Sequence, residues 1–178
     1  MKPWKTKTRH TILDQQPWLV VENHTVELPD GHLIPDWPWI ITPDYVNVVA
    51  MTTDERFLCF QQVKYGVEGT TLGIVGGFVD EGEEPMMAAR RELVEETGYE
   101  AEHWTPLGSY RVDPNRGVAM GHLYLARQAR YVTPRNADDL EEQKLILLTQ
   151  WEIETALQRG EFKVLAWAAC LALALRQL

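Results

Sequence analysis

The chain has 178 residues, with 17 Lys and Arg against 26 Asp and Glu and a formal charge of −9. Apolar residues make up 45% and charged residues 24%, a globular balance that excludes a disordered or low-complexity chain. The acidic total argues against nucleic acid or an anionic membrane as a general partner, but not against a phosphate ligand, because a bound metal reverses the local sign of charge. The N-terminal Met1-Lys2-Pro3-Trp4-Lys5 is basic but leads into no signal-type apolar stretch. The longest apolar run, residues 164–175, has twelve residues, against about 20 for a membrane span. A cytoplasmic protein is therefore expected, with Cys59 and Cys170 as reduced core thiols, since both lie in apolar runs.

In chain order, residues 10–45 are rich in Pro, Trp and Asp and carry short apolar runs. Between two of them Leu28-Pro29-Asp30-Gly31 has turn chemistry, so a β-hairpin or meander is expected there. Strands are expected over 45–50 and 57–63, and a Gly-rich segment over 66–77 leads on toward the helix. A helix follows over 85–97: Pro85 suits the first helical position and Gly98 the left-handed position that ends a helix. Further strands are expected over 105–112, 118–126 and 144–148. Thr149-Gln150-Trp151-Glu152 is a capping box opening a helix that Gly160 ends, and a last helix over 163–177 is apolar nearly all round. Strands surrounding isolated helices in this order predict an α/β fold, a mixed sheet with helices on both faces.

The helix over 85–97 carries the chemistry. At about 100° per residue, Glu92, Glu95 and Glu96 fall within an arc of about 100°, and Ala88 falls in the same arc. Ala89, Leu93, Met86, Val94 and Met87 occupy the other side, broken by Arg90. Like charges at i, i+4 destabilise a helix by roughly 0.2–0.5 kcal/mol per pair, so stability alone does not explain the cluster. A hard divalent cation would relieve it, since Mg²⁺ favours oxygen ligands and binds together with substrate phosphates. The preceding Gly76-Gly77 lets the backbone approach closely and offers a carbonyl as one more oxygen, and Arg91 can brace the carboxylates.

These residues resemble the Nudix box, Gx5Ex7REUxEExGU, with U a bulky aliphatic residue. Gly77, Glu83, Arg91, Glu92, Leu93, Glu95, Glu96 and Gly98 satisfy the pattern, and only Tyr99 departs from it. The rest of the chain is similar to the ADP-ribose pyrophosphatase branch: an N-terminal β segment with a Leu-Pro-Asp-Gly-type turn, then the box, then a C-terminal helical region. The resemblance implies a single Nudix hydrolase domain over 1–178, with the sheet sandwiched between helices. Residues 1–45 would form a β extension that either joins two chains in a homodimer, the expected state, or caps a monomer.

The resemblance further implies hydrolysis of a nucleoside diphosphate-linked small molecule with Mg²⁺ or Mn²⁺. Glu92, Glu96 and the carbonyl of Gly76 would hold the metal, Glu95 would be a ligand or the water-activating base, Glu83 would support the loop, and Arg91 would orient the glutamates. A further glutamate from a loop before the last strand would be Glu141, ahead of Glu142. Lys64 stands where the branch often has an arginine after Gln62, and Gly73-Ile74-Val75-Gly76-Gly77 replaces a Glu-Leu-Pro-Ala-Gly-like run. Pro114 matches a proline typical of the branch, within Asp113-Pro114-Asn115-Arg116-Gly117. There Arg116 either grips a phosphate or ribose hydroxyl or stays solvated in a type I turn. His122 reads as structural, and Trp104 and Trp37 are the candidates for stacking a base. The leading function is cleavage of ADP-ribose or another nucleoside diphosphate sugar to a nucleoside monophosphate and a sugar phosphate. The alternatives are a house-cleaning hydrolase of nucleoside triphosphates or dinucleoside polyphosphates, and a sensor that binds a nucleotide sugar without cleaving it.

Overall fold

The computed structural model describes residues 1–136 and 142–178, so the expected Glu141 lies outside the described residues. The chain divides into two compact units: residues 1–44 with 110–120, and residues 45–109 with 121–178.

The first unit holds a three-stranded antiparallel sheet of β1 (Lys5–Gln15), β2 (Leu19–Glu27) and β3 (Leu33–Ile41) in that order. The expected turn is present: the Gly31 N–H donates to the Leu28 carbonyl at 2.9 Å, with Gly31 at φ +88°. Strand β1 begins earlier than the sequence pattern indicated. All eleven of its residues are exposed, so no alternation of apolar and polar positions marks it. The segment 110–120 is tied to this sheet by the Trp37 indole, which donates to the Asn115 carbonyl at 2.7 Å, and by the Ile40 N–H, which donates to the Arg116 carbonyl at 2.9 Å.

The second unit is built on a mixed sheet in the order β11-β5-β4-β10-β8, formed by β4 (Tyr45–Thr52), β5 (Phe57–Val63), β8 (Tyr99–Glu100), β10 (Val118–Tyr131) and β11 (Gln143–Leu148). Strands β4 and β10 run parallel, and the other pairs in this order are antiparallel. The hairpin partner of β10 is β9 (His103–Asp113). The Gly-rich residues 66–77 are not irregular throughout. They contain β6 (Thr70–Gly73), paired with β5, and β7 (Val75–Phe78), paired antiparallel with β4.

Alternation along β4 explains the layers. Val46, Val48 and Ala50 meet Ala88, Ala89 and Leu93 of α1 (Pro85–Thr97), while Val49 and Met51 join Ile153 and Ala156 of α2 (Gln150–Gln158) and Trp167, Cys170 and Leu171 of α3 (Leu165–Leu175). Helices thus cover both faces of the sheet, the α/β architecture expected from the order of elements. Helix α1 has Pro85 at its start and ends at Gly98, φ +76°, whose N–H donates to the Val94 carbonyl at 2.8 Å. The Thr149–Glu152 capping box opens α2. Helix α3 is shorter than the apolar run and buries one face only, leaving Leu165 85% exposed. Two positions on α1 differ from the helical wheel: Met87 is exposed, and Ala88 is fully buried against the sheet. Cys59 and Cys170 are free and buried, and burial pushes both thiols up to about 12. No helix among the described residues is long and apolar enough to cross a membrane.

Candidate active site

A cleft of about 820 Å³ opens in the second unit. One side is charged, with Arg91, Glu92, Glu95 and Glu96 of α1, and the other is apolar, with Val164, Ala166 and Trp167; Gly76 and Gly77 of β7 also line it. The spacing of α1 therefore delivers its three acidic side chains to one cleft.

Arg91 is the hub of the charged side. Its Nε and Nη2 donate to the two carboxylate oxygens of Glu83 at 3.1 and 2.9 Å, a bidentate grip that ties the loop before α1 to the helix. Nη1 donates to Glu92 at 2.7 Å and to Glu95 at 3.1 Å, and Nη2 also reaches the Phe78 carbonyl at 3.0 Å. The guanidinium holds the Glu83 carboxyl below its usual range, and these bonds push the pKa of Arg91 further up. Glu92 behaves differently: burial raises its pKa, and the bonds from Arg91 only partly oppose this.

Glycines set the close approaches. A Cβ on Gly77 would stand 2.1 Å from Glu92 Oε1, so the carboxylate occupies space that any other residue would fill. Glu96 turns to the same strand, accepting the Gly76 N–H at 3.1 Å. Among the described residues, no three carboxylate, imidazole or thiol groups are drawn together around one ion-sized point. The donor set nevertheless suits a hard divalent cation. It is all oxygen, it includes a buried carboxylate whose charged form is disfavoured, and Arg91 braces Glu92 and Glu95 while Glu96 holds the Gly76 N–H.

Of the other residues singled out in the sequence, Lys64 lines this cleft, half-buried. Arg116 belongs to the first unit, where its Nη1 pairs with Asp113 Oδ2 at 3.0 Å within its own turn. Asp113 Oδ1 also accepts the Asn115 and Arg116 N–H groups, the turn reading of that segment. Glu142 is exposed at the start of β11. His122 Nδ1 lies 2.8 Å from Ser109 Oγ, a contact between neighbouring strands. Trp104 donates to the Ala101 carbonyl at 3.1 Å and lies under the Arg90 guanidinium, 5.5 Å from its ring centroid; like Trp37, it spends its indole N–H on backbone.

Sequence reasoning missed part of the cleft lining outside α1: Tyr45, Asn47, Phe78, Val164, Ala166 and Trp167. Only Asn47 left a trace, as a polar residue interrupting an otherwise apolar strand. Trp167 is hidden in a helix whose every residue is apolar.

The chain is 32% identical over 133 residues to a methanol dehydrogenase activator of Bacillus methanolicus, covering 75% of this chain and 70% of that one. It is 29% identical over 136 residues to an ADP-ribose pyrophosphatase of Bacillus subtilis (strain 168), covering 76% and 72%. Among solved structures, an ADP compounds hydrolase has the same fold, with a TM-score of 0.83 at 20% identity over 100% of this chain and 95% of that one. A family profile for the NUDIX domain matches residues 42–172, which include the whole of α1 and its glutamates, and the chain belongs to the Nudix family as a hydrolase of its ADP-ribose pyrophosphatase-like branch.

Proposed function

We propose that this Nudix hydrolase cleaves the diphosphate of ADP-ribose or another nucleoside diphosphate sugar, releasing a nucleoside monophosphate and a sugar phosphate. The observation that carries the reading is the cleft itself: Glu92, Glu95, Glu96 and Lys64 face one volume, with a glycine backbone at its floor. That volume suits a molecule with a polyanionic centre and an apolar, ring-bearing end.

Glu92, Glu96 and the Gly76 carbonyl would hold Mg²⁺ or Mn²⁺. When bound, the cation supplies charge neutralisation at the phosphate oxygens and a water of lowered pKa. The chain's own groups do the rest. Arg91 fixes the rotamers of Glu92 and Glu95. Glu95 serves as the base for the attacking water or as a further ligand, with Glu141 a second candidate for the base. Lys64 places one positive charge against the diphosphate. Water attacks one phosphorus, the bridging P–O bond breaks, and the other phosphate leaves with the bridging oxygen.

The similarity to the Bacillus subtilis ADP-ribose pyrophosphatase supports the substrate class. Residues 1–45 are read as a β extension of the hydrolase domain that joins two copies in a homodimer, and Arg116 as a contributor to substrate binding. The test is to incubate the purified chain with Mg²⁺ and a panel of nucleoside diphosphate sugars, dinucleotides and triphosphates, and to identify the products. AMP and ribose 5-phosphate from ADP-ribose support the proposal. Preferential release of pyrophosphate or phosphate from triphosphates would replace it with the house-cleaning reading, and tight binding without products with the sensor reading.

A further inference from the structure

On β4, between the fully buried Val46 and Val48, sits the side chain of Asn47, itself 4% exposed. The backbone of Asn47 has its ladder partners, Gly76 on β7 and Leu123 on β10, and its carbonyl accepts the Cys170 thiol at 3.7 Å. The side chain is different. Its Oδ1 is buried with no hydrogen-bond partner among the described residues. At the other end of the amide, Nδ2 lies against Gly76, 2.3 Å from where a Cβ would stand, and both residues line the cleft.

Leaving a carbonyl oxygen buried and unsatisfied costs stability that an apolar side chain of the same shape would keep. The two ends of an asparagine amide have nearly the same shape, and hydrogen bonds decide which faces where. A half-turn of the terminal group exchanges the two ends, carrying Oδ1 to the place beside Gly76 and Nδ2 to the place Oδ1 leaves, without moving the backbone. We infer that Asn47 is a substrate-reading residue, whose Oδ1 accepts a hydrogen bond from an O–H or N–H of the moiety seated beside Trp167. This rests on reading the cleft as a site for a nucleoside diphosphate-linked molecule and adds a specificity element to it. The donor is either a ribose hydroxyl or an exocyclic amine of the base, since both offer the proton that an orphaned acceptor requires.

The test compares kcat/KM of the wild-type chain and of Asn47→Leu on ADP-ribose, on analogues lacking single ribose hydroxyls, and on inosine diphosphate ribose, which lacks the amine. The wild type is expected to turn over one of these analogues about tenfold less efficiently than ADP-ribose. Which analogue suffers identifies the donor. Asn47→Leu is expected to treat that analogue and ADP-ribose alike, while melting at or above the wild-type temperature. Equal use of all analogues by the wild type overturns the inference, as does discrimination that survives in Asn47→Leu. A variant that melts several degrees lower would assign the amide to the fold instead. Calorimetric titration with non-hydrolysable α,β-methylene ADP-ribose separates this from the reaction itself. Binding that weakens in Asn47→Leu without any wild-type turnover leaves the inference standing and removes the hydrolase reading; turnover without discrimination does the reverse.

Discussion

The carboxylate of Glu92 lies where Gly77 would carry a side chain, its Oε1 only 2.1 Å from the position of an added Cβ. A residue of the helix and a residue of the strand thus share one volume, and the smallness of one permits the placement of the other. The same pairing fixes Arg91, which donates to Glu92 at 2.7 Å while gripping Glu83 with its other nitrogens.

Two glycines of the box should therefore fail in opposite ways. In Gly77→Ala the new methyl meets the far end of a flexible side chain, which can swing away. The fold should lose about 1 kcal/mol or less, while displacement of the Glu92 carboxylate by an ångström or more lowers kcat about 100-fold. In Gly98→Ala the methyl meets the Thr133 carbonyl at 2.0 Å, and the backbone sits at φ +76°. Stability there should fall on the order of 2 kcal/mol or more, with activity per folded molecule preserved. Thermal melts and kcat of the two variants check the contrast.

The charged hub predicts two acidic residues with opposite effects on stability. The pKa of Glu83 is depressed below its ordinary 4.5 by the guanidinium beside it, so its contribution is present above that value and disappears as pH falls through the depressed one. That of Glu92 is raised by burial, so its favourable contribution belongs to the protonated form, present below 4.5 and lost as pH rises through the raised value. Glu83→Gln should therefore melt below the wild type at pH 7, with the gap closing in acid. Glu92→Gln should melt above the wild type at pH 7, with that gap also closing in acid, and should have lost activity. Melting curves from pH 3 to pH 8 measure both differences.

How much of this was legible depended on where the information is stored. Helix α1 and the start of α2 are signed locally by Pro85, Gly98 and the Thr149–Glu152 box, and both appear where those signals placed them. Strands β6 and β7 were hidden because their glycines resemble loop glycines. In the folded unit Gly73 and Gly77 make room for Gln62 and Glu92, which sequence spacing does not reveal. The three glutamates of the cleft come from one helix and were readable by its period. The part that was missed is assembled from β4, β7 and the start of α3, segments far apart in the chain, and becomes a site only when the sheet forms.

A change far from α1 tests whether stability and chemistry separate. The Thr149 hydroxyl accepts the Glu152 N–H at 3.2 Å, and Glu152 returns a bond from the Thr149 N–H at 2.7 Å. Thr149→Ala removes the first of these, together with the bond the Thr149 hydroxyl donates to Glu152 Oε2 at 2.7 Å, and should cost about 1 kcal/mol, a fall of roughly 2–4 °C in Tm for a chain of this size. Its kcat and KM at 25 °C should match the wild type, since neither residue lines the cleft. A loss of kcat beyond the loss of folded protein would couple α2 to the site.

Glu96 tests the metal reading, because its bond from the Gly76 N–H does not need a charge. Its Oε2 accepts the Gly76 N–H at 3.1 Å, and the amide oxygen of Glu96→Gln can accept the same bond. The variant should therefore keep its tie to β7 and fold, which a melting curve checks. What it loses is the negative charge offered to a divalent cation. Turnover of the best substrate should fall by orders of magnitude, and Mn²⁺ binding read by electron paramagnetic resonance should weaken with it. Near-normal turnover would remove Glu96 from the ligand set, whereas lost turnover with unchanged Mn²⁺ affinity would leave it in the chemistry but outside the coordination sphere.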